Sequence, residues 1–188
     1  MAHQGPCIAA VVMAVVIGWT SRATASEHPE VAATPPSITD SHARVRGVGP
    51  RVSAVVKEAA AQSKTFRGLV DRIGSTDGIV YVSEGRCGHG VWACLSNTMT
   101  MAGPNRVLRI LVDPRKSDRE LMASVGHELQ HAVEVLTNPT VRSTEAIVVL
   151  FQQMCGGCGL RFETDAAIGA GDAVRGELQT GAVTARRE

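Results

Sequence analysis

Residues 117–137 read SDRELMASVGHELQHAVEVLT, and this stretch decides how the rest of the chain is arranged. Ser117 and Glu120 match a capping box, which predicts that a helix begins there and continues to the end of the stretch. Apolar residues recur along it at helical spacing: Leu121, Val125, Leu129, Ala132 and Leu136. His127 and His131 fall on another face. The helix can therefore bury one face in a core and direct two imidazoles into a cleft.

The pentapeptide HELQH at residues 127–131 has the spacing of a metal site. Histidines four residues apart lie on one face of a helix, about 6 Å apart along its axis, and can share one zinc ion. Glu128 flanks that site and can reach a metal-bound water rather than the metal itself. The alternative is that both histidines are structural and only line a groove or pair with acids.

The rest of the chain predicts further helices and a few short strands. Helical spacing of apolar residues covers 51–73, and Ser63 or Thr65 could divide this stretch into two helices. Strands are predicted at 79–82 and 106–112, with β character at 91–101. Helices are predicted over 144–154 and 162–179. The order indicates an α+β fold, in which a small antiparallel sheet packs against the 117–137 helix and further helices follow.

The first 25 residues have the features of a signal peptide. Residues 7–19, CIAAVVMAVVIGW, carry no charge and are too short to cross a bilayer, which takes roughly 20 residues. Ala23-Thr24-Ala25 then supplies small residues for cleavage. We expect a secreted or periplasmic protein without stable membrane insertion after cleavage, the alternative being an uncleaved anchor.

The remaining boundaries follow from composition. Residues 26–50 hold four of the eight prolines and predict a flexible lead-in. A catalytic domain is expected over 51–180, followed by a disordered tail over 181–188. The formal net charge is +1, so no electrostatic field attracts the chain to nucleic acid or anionic lipid. Aromatic residues make up 3%, so the core must be built mainly from aliphatic side chains.

Export changes how four cysteines are interpreted. Cys87, Cys94, Cys155 and Cys158 could form up to two disulfides in an oxidising compartment, with three possible connectivities. The alternative is a structural zinc site that uses all four. Only Cys155-Gly-Gly-Cys158 has the spacing of a zinc knuckle, which favours disulfides.

HELQH on an amphipathic helix resembles the active-site helix of the zincin metallopeptidases, and the likeness is strong over 117–137. The resemblance implies one catalytic Zn²⁺ bound by His127 and His131. Glu128 would be the general base that takes a proton from the zinc-bound water. Zincins place a sheet edge strand beside this helix, and 106–112 stands in that position in the order. By resemblance, it would pair with an extended peptide or protein substrate.

The third zinc ligand distinguishes the branches of the zincins. Metzincins continue as HExxHxxGxxH, but the residues after His131 include neither Gly nor His at those positions. Glu163, at the start of the predicted helix 162–179, looks like the carboxylate ligand of gluzincins. Gluzincins of the thermolysin type often carry an Asp four residues further on, where this chain has Ala167. Glu145 and Glu134 remain alternatives for the third ligand.

Three classes of function are open to a chain with these residues. The first is an exported zinc metallopeptidase, in which Tyr81 or His89 could stabilise the oxyanion. The second is a non-peptidase zinc hydrolase with the same ligands. The third is a non-catalytic, zinc-stabilised interaction module. The sequence favours an enzyme over the third class, because a purely structural zinc site has no need for Glu128.

Overall fold

The computed structural model describes residues 43–88, 90–154 and 162–184, without the side chains of 182–184. In these ranges there are five strands and five helices. The strands are β1 (Val45–Gly47), β2 (Gly78–Glu84), β3 (Ala93–Leu95), β4 (Thr100–Ala102) and β5 (Asn105–Val112). The helices are α1 (Pro50–Gln62), α2 (Lys64–Gly74), α3 (Asp118–Leu136), α4 (Thr144–Met154) and α5 (Asp165–Thr184). This is the predicted α+β class.

The sheet is mixed, so the predicted antiparallel arrangement is wrong. The strand order is β1-β2-β5-β3, and β4 also pairs with β5. β1 and β5 run parallel to β2, whereas β3 and β4 run antiparallel to β5. Parallel pairs require long crossover connections, and α1 with α2 supplies one between β1 and β2.

β5 lies inside the sheet, which contradicts the edge position expected for 106–112. β2 borders it on one side, and β3 and β4 border it on the other. Its backbone groups are therefore already paired along both sides. Leu108, Ile110 and Val112 are buried on the inner face. The strand next to α3 at the edge is β3, which is three residues long.

Local signals set the helix boundaries. Ser63 ends α1 and caps α2, because its hydroxyl accepts a hydrogen bond from the Phe66 N–H. Ser117 and Glu120 form the predicted capping box at the start of α3. The bounds of α4 agree with the prediction, whereas α5 begins three residues later than predicted. Glu163 therefore precedes α5 instead of lying in it.

Two predicted boundaries are wrong. The lead-in cannot extend to residue 50, because β1 pairs with β2 and α1 begins at Pro50. α5 continues to Thr184, into the segment expected to be a tail. The signal segment and residues 26–42 lie outside the described residues. Across the ranges that the structure describes, no helix is long and apolar enough to cross a membrane.

Candidate metal centre

α3 carries both histidines between the sheet and α5. Its apolar face is buried in the core, and His131 is only 4% exposed. α5 approaches closely because Gly126 on α3 faces Val174, and Gly171 on α5 faces His127. A Cβ added at Gly171 would lie 3.1 Å from the His127 Cβ. α5 therefore packs closely against the face of α3 that carries His127.

Glu163 joins the two histidines from the segment that precedes α5. Its Oε2 lies 3.1 Å from the His127 Nε2. One ligand atom from each of His127, His131 and Glu163 can be chosen so that all three lie within 4.8 Å of one another, a group that could hold a metal ion. Glu145 is outside this group, and its carboxylate instead accepts a hydrogen bond from Ser143 at the start of α4.

Glu134 contacts a histidine rather than completing the ligand group. Its side chain is 7% exposed, and its Oε2 lies 2.9 Å from the His131 Nδ1. Its Oε1 accepts hydrogen bonds from the Thr164 hydroxyl at 2.7 Å and the Gln130 amide at 3.3 Å. Burial alone would raise the pKa of Glu134, but these hydrogen bonds outweigh it and hold the pKa below its ordinary value. The ionised carboxylate accepts a hydrogen bond from the Nδ1–H, which keeps the ring proton on Nδ1 and leaves the His131 Nε2 lone pair for a metal.

Glu128 lies beside the ligand group and is 8% exposed. Its Oε2 accepts a hydrogen bond of 2.7 Å from the backbone N–H of Leu95 in β3. Burial raises the pKa of Glu128 to about 7, against the opposing effects of His131 and the Leu95 hydrogen bond. A carboxyl group with such a pKa can accept and release a proton near neutral pH.

The two histidines differ electrostatically. Burial, with the neighbouring charge of His131, lowers the pKa of His127. Burial would also lower the pKa of His131, but the hydrogen bond to Glu134 and the nearby carboxylates raise it. His127 is therefore the more readily neutral of the two, and only neutral imidazole binds a metal.

A cleft of about 220 Å³ opens beside His127 and Glu128. Its walls come from α3, α5 and the connection that enters β3. Three large apolar side chains that are exposed in the structure line it, namely Val91, Trp92 and Ile168. The Lys116 ammonium lies 3.6 Å from the centre of the Trp92 ring, a cation–π contact. The cleft thus offers an apolar surface next to the Glu128 carboxylate.

A disulfide joins Cys87 to Cys94, with their Cα atoms 5.8 Å apart. This geometry agrees with the disulfide interpretation for one of the possible pairs. The bond closes the connection that carries Val91 and Trp92 into β3, so it braces one wall of the cleft. Cys155 and Cys158 lie outside the described residues.

Tyr81, one of the two oxyanion candidates, does not lie in the cleft. Tyr81 lies on the sheet face opposite the buried Val80 and Val82, and its hydroxyl accepts a hydrogen bond from Arg46. α3 covers the other face, since a Cβ added at Gly78 would meet Leu136. His89 lies outside the described residues.

Sequence reasoning missed two groups at the site. The Leu95 N–H is a backbone donor, and its role could not be predicted because every residue except proline has such a group. Glu134 was weighed only as a metal ligand, although its position three residues after His131 also suits a hydrogen bond to that ring. Comparison of the chain with family models, with curated proteins and with solved structures finds no match.

Proposed function

We propose that this chain is a zinc-dependent peptidase with His127, His131 and Glu163 as metal ligands and Glu128 as general base. The observation that carries the proposal is the convergence of the three ligand side chains within 4.8 Å, with the buried Glu128 beside them. The donor set, the HELQH helix and the carboxylate from a later segment resemble the gluzincin branch of the zincins.

The residues present suit zinc. Two imidazoles and one carboxylate are the ligands of a catalytic zinc site that leaves a position open. Two ligand atoms of a tetrahedral zinc ion, each about 2.05 Å from the metal, are separated by about 3.3 Å. The His127 Nε2 and Glu163 Oε2 are already 3.1 Å apart. The ligand atoms of the three residues lie within 4.8 Å of one another, so metal binding would draw the most distant pair together by up to about 1.5 Å.

Zinc in such a site lowers the pKa of a bound water to about 7 and polarises a carbonyl group. Glu128 provides the proton transfer. Its Oε2 is held by the Leu95 N–H, so the other oxygen is left to accept a proton from the attacking water. Glu128 then donates that proton to the leaving amine, which a carboxyl pKa of about 7 allows in both directions.

In this proposal β3, rather than β5, is the edge strand that pairs with an extended peptide substrate. Ala93 of β3 lines the cleft, and Leu95 of β3 touches Glu128. A peptide extended along β3 would pass directly over the general base. Its side chains would reach the apolar walls formed by Val91, Trp92 and Ile168.

Export belongs to the same proposal. A disulfide persists in an oxidising compartment and is rare in the reducing cytosol. The Cys87–Cys94 bond is consistent with secretion or a periplasmic location, which residues 1–25 suggest as a signal peptide.

Zinc content and casein hydrolysis of four proteins test the proposal: wild type, Glu128→Gln, Glu163→Ala and Glu145→Ala. Glu128→Gln should retain zinc and lose about 10²–10⁴-fold in kcat/KM, the contribution of a general base. Glu163→Ala should lose zinc affinity, by more than the about 10–100-fold that removal of a hydrogen-bond partner costs. Glu145→Ala is the matched control and should behave as wild type.

Two results would reject parts of the proposal. Full activity of Glu128→Gln would exclude the mechanism. Zinc binding without cleavage of any peptide by the wild type would instead favour a non-peptidase hydrolase, if esters are cleaved, or an interaction module, if they are not.

A further inference from the structure

Phe162 and Thr164, the residues before and after Glu163, each contact a side chain that touches the His131 ring. On one side, Phe162 stacks on Phe151 with ring centroids 5.4 Å apart, and Phe151 meets the His131 ring edge-on at 5.3 Å. On the other side, the Thr164 hydroxyl donates to Glu134, whose second oxygen lies 2.9 Å from the His131 Nδ1. The segment that carries the third ligand is thus anchored to the second ligand on both sides.

Glu163 needs such an anchor. It lies before α5 rather than in it, and its side chain is 58% exposed. An exposed glutamate on a non-helical segment has many rotamers. If metal binding alone had to fix this side chain, the lost conformational entropy would lower the affinity for the metal. Attachments that hold the segment in advance reduce that loss.

We propose that Glu134 and Thr164 are positioning residues that set the affinity of the metal centre. Glu134 fixes the ring of His131 with Nε2 free, and Thr164 ties the Glu163 segment to the same carboxylate. The inference rests on the proposed function only for its ligand set, His127, His131 and Glu163.

The hydrogen-bond directions leave Thr164 one arrangement. Its hydroxyl oxygen accepts from the Ala167 N–H at 3.1 Å, which caps α5. Its single proton is therefore free to be donated to Glu134 at 2.7 Å. The Glu134 side chain is 7% exposed and accepts from Thr164, Gln130 and His131, so it has a partner for each oxygen. Ala167 stands where gluzincins of the thermolysin type often carry an Asp, and in this chain the carboxylate that contacts the His131 ring is Glu134 of α3.

The test measures Zn²⁺ affinity by competition with a chromophoric chelator, and the visible spectrum of the Co²⁺-loaded protein. Thr164→Val, which keeps the shape but not the hydroxyl, should bind Zn²⁺ about tenfold more weakly, and Glu134→Gln about 10–100-fold more weakly. Thr164→Ser restores the hydroxyl and should bind as wild type. The Co²⁺ spectrum of Thr164→Val should change, because the Glu163 carboxylate no longer holds one position.

Loss of a helix cap needs its own control, since Thr164→Val also uncaps α5. Ser117→Ala removes the cap of α3, at a site without contact to the ligands. It should lower stability without changing Zn²⁺ affinity. Each variant is first shown to be folded without metal by circular dichroism, and Glu134→Gln, which leaves the α5 cap intact, provides a separate test.

The effect of Thr164 should act through Glu163. In a Glu163→Ala background, Thr164→Val should weaken Zn²⁺ binding no further. Wild-type affinity in both Thr164→Val and Glu134→Gln, alongside weakened binding by Glu163→Ala, would overturn the positioning role and leave the proposed function intact. Wild-type affinity of Glu163→Ala would overturn the ligand set and both proposals with it.

Discussion

Gly171 of α5 offers a sharp test of how closely α3 and α5 must pack at the candidate metal centre. A Cβ at this position would lie 3.1 Å from the His127 Cβ and 3.5 Å from the carbonyl oxygen of Ala123. Gly169 lies in the same helix, two residues earlier, and has no atom within 4 Å of such a Cβ. Gly171→Ala and Gly169→Ala are therefore a matched pair, which differs in the space around the added methyl group.

The magnitude follows from two opposing effects. Replacing Gly by Ala inside a helix stabilises it by about 0.8–1 kcal/mol, and Gly169→Ala should gain this amount. At Gly171 the methyl group must move away from His127 by about 0.5 Å to reach an ordinary carbon–carbon distance of about 3.5–4.0 Å. The His127 Cβ is held by the α3 backbone and cannot rotate aside, so α5 must shift. Overpacking of this kind costs about 1–3 kcal/mol, which leaves Gly171→Ala about 0–2 kcal/mol less stable than wild type.

Urea unfolding of the two variants measures the difference, and Zn²⁺ competition measures its effect on the site. Gly169→Ala should be more stable than wild type and bind Zn²⁺ equally well. Gly171→Ala should be less stable than Gly169→Ala by about 1–3 kcal/mol and bind Zn²⁺ more weakly, because α5 leads directly from the Glu163 segment. Equal stability of the two variants would refute the close approach of α5 to His127.

Two other features of the fold lead to measurable outcomes. Replacing both Cys87 and Cys94 by Ser should lower the free energy of unfolding by about 2.5 kcal/mol, from the loop closed by a sequence separation of 7; urea unfolding that matches the wild type would contradict this. Arg106 is 2% exposed and donates to Asp77, to the carbonyl groups of Val135 and Leu136 at the end of α3, and to those of Asn138 and Val141 in the segment that follows. Arg106→Met should cost about 3–5 kcal/mol in the same assay, because it leaves the carbonyl groups of Val135, Leu136 and Val141 buried without a partner. A loss below about 1 kcal/mol would contradict this role of Arg106. The hydrogen bond from Arg106 holds the pKa of Asp77 below its ordinary 3.8. This ion pair therefore stabilises the fold fully above about pH 4, and the stabilisation is lost as the pH falls through the lowered pKa of Asp77 in the folded state. Asp77→Asn should therefore be less stable at pH 7 and lose less stability between pH 4 and 2; an unchanged pH profile would show that the pair contributes nothing.

The helices were predictable because their signals are local. Ser117 with Glu120 marks the start of α3, and Ser63 divides α1 from α2 through one hydrogen bond to a neighbouring backbone group. Capping and apolar periodicity depend on residues a few positions apart, so they can be recognised in the sequence without knowledge of the tertiary contacts. α5 is the exception, since Thr164 caps it and the predicted start at residue 162 overlooked this.

The sheet was harder, because strand pairing depends on residues far apart in the chain. β1 is three residues long and lies in a stretch whose prolines suggested a lead-in. Its pairing with β2 makes the sheet mixed, and the pairing of β3 and β4 with β5 removes β5 from the edge. Short strands carry too little pattern to reveal these partners.

The candidate site divides in the same way. The spacing of His127, Glu128 and His131 alone indicated a metal site, since residues four apart on a helix share a face whatever surrounds them. The resemblance to gluzincins suggested Glu163, and the structure brings it within 3.1 Å of His127. From the sequence, Glu134 was considered only as a metal ligand, whereas the structure shows it as the hydrogen-bond partner of the His131 ring.

By itself, the sequence determined the helix that bears the histidines, its starting cap and the four-residue spacing that allows both imidazoles to bind one metal ion. Only the tertiary structure decided which carboxylate faces them, which strand borders the cleft, and that the Leu95 N–H holds Glu128. The physical reason is range. Helix geometry and capping are fixed by neighbours in the chain, whereas the direction of a side chain toward a partner 30 residues away depends on how α5 and the sheet pack against α3.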